Sequence, residues 1–324
     1  MSARSKTLCS LLSAVLLTSA AFAGTAYTKG DVFASVDGGN VNEYTPTGTL
    51  VQTLSDVSGT IFTTGSAFDA AGNFYVTNFD ARTISQFDNS GNLLNSAFVS
   101  TGLLNESISF AMNGDFYVGS AQSPTIAEYS PTGTLLNTFN VTGGNGTGGT
   151  DWIDLQADQH TILYDGEGNI ILSFNTATNT QNPDFATGLP DTSFALRALG
   201  NGDVLVADSS AVQLLDSAGS IIKTYTLPGS GGADFALNLD PNGTDFWTGD
   251  VATGTVWEVN IASGAIDNQF GTCGGGCLFG LSVFGQITQG AGGGGNVPEP
   301  ASLALIGTGL AALGVTRKLR NSRG

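Results

Sequence analysis

Carboxylates are the most numerous ionisable side chains in this sequence. The 324 residues contain 27 Asp and Glu but one histidine, His160, which stands at the start of a short apolar run. We assign His160 a structural role rather than that of a general base, which excludes Ser-His-Asp catalysis and histidine-rich metal sites. The Gly-rich stretches 143–149 and 290–295 lack the Lys-Ser/Thr that follows a phosphate-binding loop, so no phosphate site is expected.

Nine carboxylates stand at the ends of short apolar runs that are predicted to be strands. Four come at the start of one strand of a repeated unit, and five follow the next strand of that unit. The first set is Glu106, Asp151, Asp191 and Asp234, and the second is Asp37, Asp80, Asp165, Asp208 and Asp250. Oxygen ligands that converge from separate repeats suit a divalent metal, so the first set is predicted to be a metal site, with calcium as the expected cofactor. Asp after a strand commonly caps a turn, and we assign that role to the second set.

Two cysteines remain once the first 23 residues are set aside. Cys273 and Cys277 are separated by three glycines, which can bend enough for the two sulfurs to meet. A disulfide is favoured outside the cytoplasm. A two-cysteine metal site is the weaker alternative, because no histidine or further cysteine lies nearby to complete it.

An internal repeat predicts the elements that position these residues. The motif Gly-Asx-aromatic-aliphatic occurs at 30–33, 72–76 and 114–118, at intervals of 42 residues, and weaker copies follow at 159–163, 202–206 and 243–247. A second strand, a turn and a third strand follow each copy, and an alternating strand precedes the next. Four strands in about 42 residues are typical of a β-propeller blade. We therefore predict an all-β fold, a six-bladed β-propeller, in preference to a parallel β-helix, whose repeats are shorter and lack hairpins at fixed offsets.

The phase of the repeat predicts how the ring closes. The first copy begins on the second strand of a blade, whereas the last alternating run, 278–284, has no partner after it. Pairing of this C-terminal strand with the N-terminal blade, 31–54, would complete the first blade, close the ring and remove two exposed strand edges.

The first 23 residues have the three parts of a secretory signal peptide. Arg4 and Lys6 precede an apolar stretch, which ends in Ala21-Phe22-Ala23, a small-residue cleavage site. The chain is therefore predicted to be exported, with Gly24 as its first mature residue.

The last 28 residues have the features of a second targeting segment. Val297, Pro298, Glu299 and Pro300 precede an apolar segment, 301–315, that is just long enough to span a thinned bilayer. Arg317, Lys318, Arg320 and Arg323 follow. The order of these parts resembles the PEP-CTERM sorting signal. That resemblance implies a Gram-negative bacterium, export across its inner membrane, transient anchoring through a transmembrane helix, and removal of the tail by an exosortase-type enzyme. Such proteins are associated with the cell surface or the extracellular (biofilm) matrix.

The predicted domains follow from these boundaries: a signal peptide at 1–23, the propeller at 24–286, a Gly-rich linker at 287–296 and the sorting signal at 297–324. Between the signal peptide and the sorting signal, the chain contains four basic and 26 acidic residues, which gives a net charge of −22. A field of that sign repels phosphate backbones and excludes nucleic acid as a partner.

The repeated Gly-Asx-aromatic pattern over 30–286 also resembles NHL-repeat and regucalcin/gluconolactonase-like propellers. The first hypothesis for function is a non-enzymatic binding module at the cell surface or in the matrix, with an exopolysaccharide or a surface protein as its partner. The alternative, implied by the regucalcin-like group, is a divalent-metal-dependent lactonase or lyase. Thr64 and Phe235 stand where that group's Asn ligands are expected, which counts against the alternative.

Overall fold

A computed structural model describes residues 24–289, which form β-strands arranged in six antiparallel sheets. The predicted six-bladed β-propeller is confirmed. Blades 1 to 3 contain β1 (Val32–Val36), β2 (Asn40–Tyr44) and β3 (Leu50–Ser55); β4 (Thr63–Phe68), β5 (Phe74–Asn78), β6 (Thr83–Phe87) and β7 (Leu93–Ser100); and β8 (Asn105–Phe110), β9 (Phe116–Ser120), β10 (Thr125–Tyr129) and β11 (Leu135–Asn140).

Blades 4 to 6 follow the same order, except that two short strands take the outermost place in blade 4. They contain β12 (Ile153–Leu155), β13 (Thr161–Tyr164), β14 (Ile170–Asn175), β15 (Thr180–Gln181) and β16 (Ala186–Thr187); β17 (Ser193–Ala198), β18 (Val204–Asp208), β19 (Val212–Leu215) and β20 (Ile221–Tyr225); and β21 (Asp234–Leu239), β22 (Asp245–Asp250), β23 (Thr255–Asn260) and β24 (Ile266–Gly271).

The last strand, β25 (Leu278–Val283), completes blade 1. It pairs antiparallel with β1, with Val283 opposite Val32 and Leu281 opposite Ala34. The six innermost strands then contact one another in a ring, from β4 through β8, β12, β17 and β21 to β25 and back to β4. The side chains of Leu278, Leu281 and Val283 are fully buried, so burial of apolar surface holds this pairing in place.

Two faces of the ring follow from this topology. We call the face on which the six innermost strands begin the top face. The bottom face carries the hairpins that join each innermost strand to the second strand of its blade. All nine carboxylates singled out above lie at the top face.

The core lies between the blades rather than along the axis. Trp152, Trp247 and Trp257 are at most 1% exposed and belong to the apolar clusters that join neighbouring blades. Their packing role matches the alternating strands in which they occur, and it removes them from any binding surface.

The chain beyond β25 lies across the bottom end of the central channel. Gln286, Ile287 and Thr288 line a cavity of about 20 Å³ together with the axial residues Asp154 and Arg197. Ile287 also packs against the core between blades 5 and 6, and the Gln159 side chain of blade 4 donates a hydrogen bond of 3.3 Å to the carbonyl of Gln289. Residues 287–289, which the sequence assigns to the linker, are therefore in contact with the propeller.

The loop between β24 and β25 contains the disulfide between Cys273 and Cys277, whose Cα atoms are 6.3 Å apart. This loop leads directly into the closing strand. Within residues 24–289 no helix has the length and apolar character needed to cross a membrane. The predicted signal peptide, the spanning segment 301–315 and the sorting motif lie outside the described residues.

Candidate functional site: a carboxylate cluster on the top face

A repeated irregularity places one residue of each innermost strand at the top end of the channel. The pairing of β8, β17, β21 and β25 with their neighbours skips one residue near the strand's start, which is a β-bulge. The skipped residues are Glu106, Phe194, Phe235 and Phe279, and in β4 the bulge covers Thr64 and Gly65. Asp151 takes the corresponding place in blade 4, where its backbone N–H donates to the carbonyl of Asp165 at 3.0 Å. Bulges re-aim side chains next to functional sites.

Blades 3 and 4 bring three carboxylates together at this level. One oxygen from each of Glu106, Asp151 and Glu167 lies within 4.8 Å of the other two. Glu106 and Asp151 are 6% and 2% exposed, and Glu167 is partly exposed. Oxygen atoms at this spacing can share one cation.

Asp165 borders the group and is fully buried, and neither of its carboxylate oxygens has a hydrogen-bond partner. One oxygen of Asp151 also lacks a partner, whereas the other accepts a hydrogen bond of 2.6 Å from the Thr147 hydroxyl. Buried carboxylates are normally satisfied by donors. Glu43 and Asp234 also have one bare oxygen each, and Asp165 differs from them in having two. We call Glu106, Asp151, Asp165 and Glu167 the carboxylate cluster.

Two glycine-rich loops hold the cluster by close backbone contact. A Cβ atom at Gly146 would lie 1.8 Å from the Glu167 carbonyl, and one at Gly144 would lie 2.3 Å from the Cα of Gly166. Loop 143–149 therefore packs directly on the loop that carries Asp165 and Glu167. Glu167 itself has a φ of 52°, a left-handed conformation that is uncommon outside glycine. The Gly-rich stretch positions the carboxylates.

The electrostatics of the cluster oppose its ionisation. Burial, followed by the charges of Asp151 and Glu167, raises the pKa of Glu106 well above its ordinary value. Burial and the same two neighbours raise the pKa of Asp165, and burial and Asp151 raise the pKa of Glu167 to about 7. Every neighbouring charge that shifts these three pKa values is acidic. A cation would relieve this repulsion.

Two of the four residues predicted as metal ligands belong to the cluster, and two do not. Asp234 comes one residue before the bulge in β21, so its side chain points to the other side of the strand, where Ser230 Oγ lies 3.0 Å away. Asp191 precedes β17 and accepts hydrogen bonds from the Ser209 hydroxyl and the Thr192 backbone N–H. The four carboxylates therefore do not converge from around the axis, because only Glu106 and Asp151 occupy the bulge position.

The turn-capping role assigned to the Asp residues after the second strands holds for three of them. Asp80, Asp208 and Asp250 accept hydrogen bonds from backbone N–H groups of neighbouring loops. Asp37 is exposed. For Asp165 no hydrogen bond of ordinary geometry to the carboxylate supports the assignment, and the nearby backbone N–H groups of Glu167 and Trp152 offset the rise in its pKa only in part.

Sequence reasoning missed Glu167 altogether. The signal that could have found it is the run Asp-Gly-Glu-Gly at 165–168, which places two carboxylates in a loop whose glycines allow tight packing. That run differs from the Ser- and Thr-containing loops that follow the capping residues Asp208 and Asp250.

Partly exposed phenyl rings occupy much of the remaining top face. Phe62 stacks on Phe79 and Phe279, with ring centroids 4.9 and 4.5 Å apart, and Phe194 lies 5.0 Å from Phe235. These five side chains, which we call the phenyl arc, belong to blades 1, 2, 5 and 6. His160, by contrast, lies on the bottom face, where it lines a groove of about 400 Å³ with Tyr117 and Glu128.

Comparisons with known proteins agree with this architecture. Residues 296–318 match the PEP-CTERM protein-sorting motif. A crystal structure of a nidogen/laminin complex is 15% identical, with 80% of this chain and 100% of that chain covered and a TM-score of 0.65. A structure of selenomethionine-substituted virginiamycin B lyase from Staphylococcus aureus is 11% identical, with 64% and 69% covered and a TM-score of 0.50. No curated protein matches the chain.

At these identities the two solved structures establish a shared fold and nothing about activity. The sorting motif implies more, because it marks an exported protein that is transiently anchored in the membrane and processed by an exosortase-type enzyme. This chain is therefore a six-bladed β-propeller protein with a C-terminal PEP-CTERM sorting motif.

Proposed function

We propose that this protein is a binding module displayed at the cell surface or in the extracellular matrix, and that its top face binds a neutral polysaccharide. The observation that carries the proposal is the phenyl arc. Five partly exposed phenyl rings lie at one end of the propeller in two stacked groups, Phe62 with Phe79 and Phe279, and Phe194 with Phe235. Exposed apolar groups of this kind mark interaction sites.

The chemistry of the top face favours a sugar polymer over charged partners. Pyranose rings offer apolar C–H faces that pack on phenyl rings. The domain's net charge of −22 repels polyanions such as nucleic acids and acidic glycans, whereas an uncharged polymer escapes this repulsion. Residues 286–289 lie across the bottom end of the channel, which supports the choice of the top face.

The binding experiment uses the chain without residues 1–23 and 297–324, together with the exopolysaccharide purified from the producing cells. We expect the protein to co-sediment with the polymer. Replacing Phe194 and Phe235 with Ala should weaken binding by about tenfold or more, the effect of losing a central aromatic contact. A matched control, Met112→Ala with Leu135→Ala, removes two exposed apolar side chains from the bottom end of blade 3 and should leave binding unchanged.

The proposal is wrong if the unaltered protein stays in the supernatant, or if both double variants bind equally well. Capture of a surface protein in place of the polymer would also overturn it and would favour the second partner class predicted from the sequence.

Processing has its own test in cells that contain the exosortase-type enzyme. Replacing Pro298 and Glu299 with Ala should leave a longer chain in the membrane fraction, measured by fractionation and mass spectrometry. Release of a chain of unaltered mass would contradict the assigned role of the motif.

A metal-dependent lactonase or lyase remains the alternative function, and the position of the histidine bears on it. His160, the one imidazole in the sequence, lies on the bottom face, on the opposite side of the ring from the carboxylate cluster. Any acid–base step at the cluster would therefore depend on the carboxyl groups themselves. Assaying lactone hydrolysis with and without calcium would test this alternative directly.

A further inference from the structure

We infer that Glu106, Asp151, Asp165 and Glu167 bind one calcium ion between blades 3 and 4. The inference goes beyond the proposed function and does not depend on the partner that the top face binds. It differs from the site predicted from the sequence, because all four carboxylates come from two adjacent blades rather than from around the axis.

The first support is that acidic side chains converge at this place while basic side chains are engaged elsewhere. Three oxygens lie within 4.8 Å of one another, and the fully buried Asp165 adds a fourth carboxylate beside them. The basic side chains whose hydrogen bonds the structure shows are committed elsewhere: Arg82 donates to the Gly102 carbonyl, Arg197 to Asn238, and Lys223 to the carbonyls of Ile261 and Ala262.

The second and independent support is the set of unpartnered oxygens. Both oxygens of Asp165 and one of Asp151 are buried without a hydrogen-bond donor, although each residue is at least 98% buried. Leaving a buried acceptor unsatisfied is unfavourable, and a cation is the partner that satisfies several carboxylate oxygens at once. The raised pKa values of Glu106, Asp165 and Glu167 agree with this picture but would be seen in any crowded group of acids.

The ligand chemistry favours calcium over other metals. The cluster offers carboxylate oxygen alone, with no imidazole or thiolate, which disfavours zinc and copper. Calcium accepts six to eight oxygens in irregular geometry, whereas magnesium demands a near-ideal octahedron. Carboxylates carried on two loops and a bulge fit the less demanding ion. Bound there, the ion would link Glu106 of blade 3 to the two loops of blade 4.

Calcium binding is measured by isothermal titration calorimetry and by thermal unfolding of the chain without residues 1–23 and 297–324, first stripped with a chelator. We expect one ion per chain, with a Kd of about 10⁻⁴ to 10⁻³ M, the range of extracellular calcium modules. At a concentration 100 times Kd, calcium should raise Tm by about 5 °C. Magnesium at the same concentration should give a much smaller rise.

Glu106→Gln with Glu167→Gln should weaken calcium binding at least tenfold and abolish the rise in Tm. The matched control, Asp37→Asn with Asp191→Asn, removes two charges from the same face outside the cluster. It should keep both the calcium binding and the rise in Tm. Glu167→Gln alone serves if the double variant fails to fold, since Glu167 lies in a loop and is partly exposed.

Three outcomes would overturn the inference. The first is the absence of binding at 10 mM calcium, which is about ten times the weakest Kd expected. The second is equal loss of binding in the control variant, and the third is a magnesium response as large as that of calcium. Polysaccharide binding is scored in a separate experiment, so failure of one proposal does not carry over to the other.

Discussion

Two groups of buried carboxylates lie on the top face, and they differ in what their oxygens contact. The carboxylate cluster joins blades 3 and 4, whereas the second group lies beside blades 5 and 6 and consists of Asp208, Asp234 and Asp250. In the second group Asp250 accepts hydrogen bonds from the backbone of Gly231, Ala233 and Thr253 and from two hydroxyls. In the cluster both oxygens of Asp165 are bare.

The pKa values follow this difference. The hydrogen bonds to Asp250 outweigh the effect of its burial and lower its pKa, so protein donors stabilise the charge of this carboxylate. Asp165 also follows a second strand, in blade 4, but it lies four residues after Thr161, whose carbonyl closes the hairpin, whereas Asp250 lies five residues after the equivalent Asp245. The pKa of Asp165 is raised. The two carboxylates therefore differ by one place in the repeat, and their loops differ as well. Ser230 and Thr253 donate hydrogen bonds to Asp250 in one blade, whereas in the other loop 143–149 donates to Asp151 through Thr147 and packs tightly on Gly166 without a hydrogen bond to Asp165.

The largest loss of stability is expected at Asp250, because its carboxylate accepts many hydrogen bonds. Asp250→Ala should lower the free energy of unfolding by about 4 kcal/mol, because several buried donors lose a charged acceptor together. Urea unfolding measures the change. Asp267→Ala is the control, since this exposed residue of β24 should change stability by less than about 0.5 kcal/mol. A loss of under about 1 kcal/mol for Asp250→Ala would show that the donors of the second group find other partners.

Asp234 gives the second group a pH dependence that calcium should not alter. Burial, with smaller contributions from Asp250 and Asp208, raises the pKa of Asp234 from its ordinary value of 3.8 to about 7. Between these values the folded chain keeps a proton that the unfolded chain has lost. The free energy of unfolding should therefore fall as pH rises from about 4 to about 7.

Asp234→Asn removes that titration. Over the same pH range the free energy of unfolding of the variant should therefore fall by about 2 to 3 kcal/mol less than that of the unaltered chain. Urea unfolding at pH 4.5 and pH 7.5, with and without calcium, measures it. The same difference is expected under both conditions, because Asp234 lies outside the cluster. A difference that disappears when calcium is added would place Asp234 in the metal site and remove the distinction between the two groups.

The sequence predicted the ring far better than it predicted the site. The 42-residue spacing of the Gly-Asx-aromatic motif and the unpaired last strand follow from strand alternation, which is local and regular. The site depends on bulges, and a bulge shifts which side of a strand a residue faces by one position. Asp234 and Phe235 are neighbours in the sequence, yet Phe235 takes the place at the channel end that the sequence suggested for an acid.

Glu167 was missed for a different reason. Its carboxylate reaches the cluster because two glycine loops from distant parts of blade 4 pack backbone to backbone, and this contact leaves no periodic signal. Asp165 was misassigned because it follows the second strand of its blade, as Asp250 does, although it stands one place earlier in the repeat. The informative difference is in the flanking residues, which are Gly166 and Gly168 in one case and Thr253 in the other.

The smallest change expected is an increase in the free energy of unfolding, and it concerns Asp165. Asp165→Asn keeps the size of the side chain and replaces a carboxyl group whose ionisation burial and acidic neighbours oppose, so without calcium it should raise the free energy of unfolding by about 1 kcal/mol at pH 7.5. The amide also brings two donors to a place where neighbouring carboxylates can accept them. Urea unfolding in the presence of a chelator measures the gain. Saturating calcium should reverse the order of stability, because the variant loses a ligand while the unaltered chain gains the ion's binding energy. If Asp165→Asn were destabilising in the chelator, by an amount close to that for Asp250→Ala, Asp165 would be a satisfied turn residue and the two groups of the top face would be alike.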